Sequence, residues 1–419
     1  MNRIIDLHAH PSLKIYYLPF LAETFHAVLP TGWRWNPFAF LYQYKNLKPS
    51  GLKVVLCAHY VVERGFLKHG IKPHSQAFLW ATGGYFYWRM RQAEPWITLN
   101  KMMDTLERSA KNTNRWVLGP DPRLRIVRSF DELQKLSDRE IALVHTIEGP
   151  HVFGEYPAPG LSAEAYWTRT RQRLDQLKER GVASITLGHF WQQPFAPQTD
   201  GTELIPKIKD QRVVVGRDDA LFQMQRADWR WGGYDGLGEK LVRAMLEIGV
   251  IPDLAHVQEE ARYAIYDLCA EYRRPVVLSH VGLRHFYPHE YNLSDAELKR
   301  VRQLGGVIGL VISKRLIVDP IRRYGAPAEG IADLVQNMLH IRKVVGDVSC
   351  IGLGTDFDGL THPFQDCYHP GHLPRIVEAM KEHFDAREIE AITYGNAWRV
   401  LKNGWNPLAP KKPQRKPKI

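Results

Sequence analysis

Cysteine is scarce in this chain: Cys57, Cys269, Cys350 and Cys367 are the only four among 419 residues, and no two form a CxxC pair. Three of them, Cys57, Cys269 and Cys350, sit in apolar segments that read as core. That excludes a disulfide framework and fits a reducing compartment. Apolar runs of 18 or more residues are also absent, which excludes a transmembrane helix. At the N-terminus Met1-Asn2-Arg3 leads straight into Ile4-Ile5-Asp6, leaving no room for a signal peptide before the first strand. The expected location is cytoplasmic. No internal repeat is evident.

What is present is ordinary globular composition, 44% hydrophobic and 24% charged, enough for a large buried core. The net charge is +11, and five of the excess positive charges (Lys411, Lys412, Arg415, Lys416, Lys418) lie in the last nine residues. The Pro/Lys-rich segment 405–419 cannot pack and is expected to be disordered and solvating, with no specific nucleic-acid partner. The rest, 1–404, is expected to form one domain, and a homodimer is compatible with it.

Eight strand candidates cover 4–10, 52–61, 142–149, 184–190, 251–257, 275–281, 306–313 and 350–358. Most are continuous apolar runs, as in parallel strands covered on both faces. Helical patterns at 162–180, 235–249, 257–273, 294–304 and 329–345 separate the later strands, and two more, near 372–384 and 386–402, close the chain. Alternation of this kind predicts an α/β fold, a (β/α)8 TIM barrel. Three aromatic-rich insertions, 11–50, 62–110 and 191–232, exceed what such a barrel needs. They are expected either to shape a substrate mouth or to form a satellite core.

Chemistry gathers at the strand ends. Residues i and i+2 on a strand share a face, so Asp6, His8 and His10 are all expected to point inward, with Asp6 deeper as an orienting group. Glu148 ends the third predicted strand, and a carboxylate there can bridge two metal ions about 3.5–4 Å apart. His256 and His280 end the fifth and sixth, and neutral imidazoles suit zinc or a similar divalent ion. His189 ends the fourth and can polarise a carbonyl or hold an oxyanion. In Gly354-Thr355-Asp356-Phe357-Asp358-Gly359, Asp356 can take and return a proton. Asp358 can be a supporting group or only a turn residue.

Taken in order, DLHAH, TIEGPH, ITLGHF, DLAHV, VVLSHV and GLGTDFDG resemble the amidohydrolase superfamily, and more narrowly the renal (membrane) dipeptidase family of binuclear zinc peptidases. Tyr394-Gly395-Asn396-Ala397-Trp398-Arg399-Val400 resembles that family's closing helix. The fourth strand carries no lysine, so the metal bridge falls to Glu148. The resemblance implies that His8, His10 and Glu148 hold one ion and that Glu148, His256 and His280 hold the second. Asp356 would be the acid/base, and His189 would meet the substrate. It implies a hydrolase with two divalent ions, zinc by analogy, acting on a small molecule such as a dipeptide. The same site could instead cleave a lactone, a carboxylic ester or a phosphoester, and the class outside enzymes is a scaffold barrel. Two departures stand out. His10 occupies a position where the family usually has an acid, and Arg284, the nearest candidate for a substrate carboxylate, follows His280 too closely.

Overall fold

The computed structural model describes residues 3–19, 25, 39–63, 84–92, 94–154, 156, 160–191, 194–199, 236–317, 330–359 and 363–408. Nine parallel strands form its sheet. They are β1 (Ile4–Ala9), β2 (Leu52–Tyr60), β3 (Arg123–Val127), β4 (Glu140–Glu148), β5 (Ser184–Thr186), β6 (Ile251–Asp253), β7 (Val277–Val281), β8 (Val307–Val311) and β9 (Ile351–Gly354). Eight of them close a barrel. β2 pairs with β1 and β4, the order then runs through β5, β6, β7 and β8 to β9, and β9 returns to β1. This is the TIM barrel expected from the alternating pattern.

The ninth strand, β3, was not expected. It pairs with the first half of β4 (Arg123↔Glu140 to Val127↔Val144), while β5 takes the second half from Thr146 onward. Its sequence, RLRIV, alternates polar and apolar residues, as an edge strand with one wet face does, and it is too short and charged to register as a buried run. The helix Pro95–Asn114 leads into it. Leu99, Met102, Met103 and Leu106 of that helix are buried in the main core, so this part of the second insertion is core. Trp96 packs partly buried against the same core, whereas Trp88 is exposed. Trp33, Trp35, Trp80, Trp229 and Trp231 lie outside the described residues.

The helices fall where the 3.6-residue pattern put them. Ala163–Glu179, Leu237–Ile248, Glu259–Glu271, Asp295–Gln303 and Gly330–Val345 wrap the barrel between strands, each burying one apolar stripe. Ser162 and Ser294 cap two of them; the Ser294 cap is a reciprocal box with Glu297. At the closing end, Ala386–Glu390 passes through one π turn, Ala391–Gly395, into the helix Asn396–Gly404. There Val400, Leu401 and Trp405 cover the base of the barrel interior with Ile5, Leu7, Val54 and Ile251. Trp405, the first residue of the expected tail, is therefore core; residues 409–419 lie outside the described part. No helix among the described residues is long and apolar enough to cross a membrane.

A register slip in β1 decides which of its polar groups reach the barrel interior. Ile5 and Leu7 share the interior cluster with Val54, Leu56, Ala142 and Val144, while Ile4 and Ala9 belong to the outer core. The pairing of β1 with β2 shifts between Asp6 and Ala9. Asp6 consequently faces the outer side, correcting the expectation of an inward Asp6, and the slip turns His8 and His10 to the interior.

Candidate metal centre

Buried at the carboxyl end of the barrel, the Glu148 carboxylate is ringed by five imidazoles. Its Oε1 lies 3.3 Å from His8 Nε2, 3.4 Å from His280 Nε2 and 3.5 Å from His256 Nε2. Its Oε2 lies 3.4 Å from His10 Nε2 and 3.5 Å from His189 Nε2. Within this ring two pairs of nitrogens face each other at 3.0 Å, His8 with His10 and His256 with His280. The sequence-derived ligand residues thus all converge, although they come from β1, β4 and the ends of β6 and β7.

The chemistry of the donors fits metal ions. Two nitrogens pointing at each other gain nothing unless one carries a proton or a cation lies between them. On the far side of the rings, Ser279 Oγ meets both His8 Nδ1 (3.0 Å) and His280 Nδ1 (2.9 Å). A hydroxyl oxygen accepts two hydrogen bonds, so both rings can donate from Nδ1 and turn the lone pairs of Nε2 inward, as ligands require. Burial drives charge off His8, yet the Glu148, Asp356 and Asp253 carboxylates outweigh it and raise its pKa to about 9. Burial would likewise raise the Glu148 pKa, but His189, His10 and His8 hold it well below the usual carboxylate range. In both cases the carboxylates favour a cation among the rings. His8, His10 and Glu148 place ligand atoms within one metal-sized cluster, and Glu148, His189 and His256 do the same.

Ser279 is itself held rigidly. Its N–H donates to Asp253 Oδ1 at 3.0 Å, and Thr186 Oγ1 donates to Asp253 Oδ2 at 3.0 Å. Its carbonyl is crowded by glycines: a Cβ on Gly354 would stand 1.7 Å from that oxygen. Only a glycine allows β9 to approach so closely.

Asp356 sits with its Oδ1 3.1 Å from His10 Nε2. Its N–H donates to the His8 carbonyl and the His10 N–H to the Phe357 carbonyl, both at 2.9 Å, so the end of β1 and the turn after β9 are laced together. His256, Asp356 and Asp358 all adopt positive φ, between 54° and 66°. Such conformations are costly for non-glycine residues and gather at functional sites. Asp358 does more than turn the chain. It accepts from Lys14 Nζ at 2.9 Å and from the backbone N–H groups of Leu41 and Tyr42 at 3.0 Å, fastening the end of the first insertion. Asp6, on the outer side, accepts from the N–H groups of His8 and Thr355, the Thr355 hydroxyl and the Tyr42 hydroxyl. It sets the backbone of the strand ends and touches no ligand ring; ring orientation falls to Ser279.

His189 Nδ1 lies 2.7 Å from Glu63 Oε2. Burial lowers the His189 pKa, and the Glu148 and Glu63 carboxylates more than offset it, leaving a raised value. Arg284 is not turned to the ring: its guanidinium donates to Glu259 Oε2 at 2.6 Å and to the Glu290 carbonyl at 3.4 Å. Ser279 and Asp253 stand inside the VVLSHV and DLAHV endings, where nothing in the residue pattern marks a role for them; Glu63 and Lys14 are isolated charges that reach the site through tertiary packing.

Residues 217–407 match the family described as membrane dipeptidase, peptidase family M19. That match covers somewhat less than half of the chain. An uncharacterized dipeptidase of Schizosaccharomyces pombe is 27% identical over 231 residues, 55% of this chain and 48% of that protein. A dipeptidase of Claviceps purpurea is 32% identical over 172 residues, 41% of this chain and 38% of its own length. The aligned stretches therefore span about half or less of these two relatives. In fold, the barrel is similar to a metallopeptidase from Rhodobacter sphaeroides, solved with a phosphinate mimic of the dipeptide L-Ala-D-Ala. The TM-score is 0.64 with 16% identity, covering 96% of this chain and 99% of that one.

Proposed function

We propose that this protein is a dipeptidase that hydrolyses an amide bond with two divalent metal ions, zinc in the resting enzyme. The observation that carries the reading is the buried ring of five histidines converging on one glutamate, with an aspartate beside it. His8, His10 and Glu148 would hold one ion and Glu148, His256 and His280 the other. When bound, the ions would polarise the scissile carbonyl and acidify the attacking water.

The chain's own groups do the rest. Asp356, laced to the end of β1, stands where it can accept the proton of the attacking water and hand it to the leaving amine. His189, whose Nε2 lies 3.5 Å from Glu148 Oε2, suits the oxyanion that develops on the carbonyl. His10, in place of an acid, leaves the site with one negative charge fewer, which favours an attacking water that ionises at lower pH. The four free, buried cysteines support a cytoplasmic setting.

A second reading keeps the site and changes the bond to a lactone, carboxylic ester or phosphoester. The engagement of Arg284 by Glu259 favours it, because a dipeptide's terminal carboxylate then has no assigned partner among the described residues. Metal analysis of the purified protein, followed by turnover of a panel of dipeptides (L-Ala-D-Ala among them), lactones and aryl phosphates, tests both. Two metal equivalents with dipeptide turnover supports the first reading. Ester or phosphate turnover alone replaces it with the second, and a metal-free, inert protein removes both.

A further inference from the structure

Glu63 belongs to no motif, yet it is among the most completely enclosed acids in the protein, with 3% of its surface exposed. It lies just past the end of β2, outside the metal ring, and three donors converge on it. Tyr60 donates its hydroxyl to Oε2 at 3.1 Å, the Trp191 N–H donates to Oε1 at 3.1 Å, and His189 Nδ1 stands 2.7 Å from Oε2. The Tyr60 ring also packs on the His189 ring at 4.5 Å between centroids. A buried, ionised carboxylate accepts and does not donate. The hydrogen bond to His189 therefore requires the proton on Nδ1.

We propose that Glu63 is a positioning residue that fixes a proton on His189 Nδ1 and so makes Nε2 the atom His189 presents to the reaction centre. The observations fit one another. His189 Nε2 already points at Glu148 Oε2, and the hydrogen bond to the carboxylate behind the ring opposes the flip that would put ring carbons where the two nitrogens now stand. The Trp191 N–H ties Glu63 to the chain just beyond His189, so the carboxylate is bonded to both the imidazole and the start of the third insertion. A carboxylate behind a histidine that works at a polar centre sets its tautomer, and removing such a partner costs roughly 10–100-fold in activity or metal affinity. The value of this tautomer to turnover rests on the hydrolase reading above; its existence does not.

Two arms keep the two ideas apart. In the metal-loaded, full-length protein labelled with 15N-histidine, nitrogen-proton correlation spectra should show His189 protonated at Nδ1, with assignment by the His189→Gln variant. That signal should be lost or move strongly upfield in Glu63→Gln and persist in Tyr60→Phe, which keeps the carboxylate. A His189 protonated only at Nε2, or a signal unchanged in a folded Glu63→Gln protein, overturns the proposal whether or not any dipeptide is cleaved. Should Glu63→Gln not fold, the wild-type and Tyr60→Phe spectra alone still decide where the proton is. On a cleaved substrate, Glu63→Gln should lower kcat by about 10–100-fold with KM within about two-fold and metal content unchanged. Equal losses in metal content and kcat would show a merely structural role and overturn the positioning assignment.

Discussion

Strands β2 and β4 border histidine clusters on both faces, and the two clusters are built in opposite ways. Inward, Tyr60 and Glu148 face the ring of His8, His10, His189, His256 and His280, where nitrogens point at one another and at a shared carboxylate. Outward, His59 and His145 form an ordered string. Ser12 Oγ meets His59 Nδ1 at 2.9 Å, His59 Nε2 meets His145 Nδ1 at 2.7 Å, and His145 Nε2 meets Glu107 Oε1 at 3.1 Å. In the string every ring nitrogen has its own partner, and one assignment of protons satisfies all of them. In the ring four Nε2 atoms meet in two pairs beside one shared carboxylate, and His10 Nδ1 is left without a hydrogen-bond partner. Histidine in a strand is therefore not itself a sign of a metal. What distinguishes a site from a structural network is whether the nitrogens are matched in pairs or left converging.

The contrast between ring and string breaks most directly at Glu148. Glu148→Gln removes the charge all five rings share and should abolish both metal equivalents and all turnover, whereas His145→Leu, three residues away on the other face, should keep both metals. Metal analysis of the two purified variants checks this, and a Glu148→Gln protein that retains two ions would sink the bridging role. Next in size, Asp356→Asn should retain the metals and lose about 10²–10⁴-fold in kcat, measured in the steady state on the best substrate.

Smaller effects test the surroundings. Lys14→Met leaves Asp358 buried with its charge uncompensated and should cost about 3–5 kcal/mol in urea unfolding. If it costs less than a surface substitution, the strap between the first insertion and the strand-nine turn is not holding anything. His59→Leu orphans Ser12 and His145 and should cost about 1–3 kcal/mol, while the double variant with His145→Leu should cost less than the sum of the two singles.

The smallest effect is a slope. Burial presses the pKa of His59 well below the usual histidine value and lowers that of His145. Their unfolded counterparts take up protons near pH 6.5. Stability from keeping them neutral is thus full above about pH 6.5 and is lost as pH falls below it. Unfolding midpoints between about pH 5 and 7.5 should decline toward acid in the wild type, and less steeply in the double variant. Parallel slopes would remove this role from the string.

Much of this was legible without coordinates. The apolar runs and the helical periods between them specify eight strands and the helices around them, with starts within two residues and ends within four, because a strand buried on both faces must be apolar throughout and an outer helix must be apolar on one stripe. The strand endings specify a convergence of His8, His10, Glu148, His189, His256 and His280, because a parallel barrel brings every carboxyl end to one mouth. β3 escaped because a short, half-wet edge strand has no such signature.

Other features were beyond any sequence pattern. The inward direction of Asp6 followed from strict alternation, and a one-residue slip in β1, visible only in pairing with β2, reversed it. Glu63, Ser279 and Lys14 act on residues far from them in the chain, so their roles depend on distances of about 3 Å that only packing sets. Residue types along the strands determined which groups this protein brings to its mouth. Which of their atoms face each other, and which acid holds which ring, was decided by the closed barrel, since hydrogen bonds and metal ligation depend on direction and on tenths of an ångström that a one-dimensional pattern does not carry.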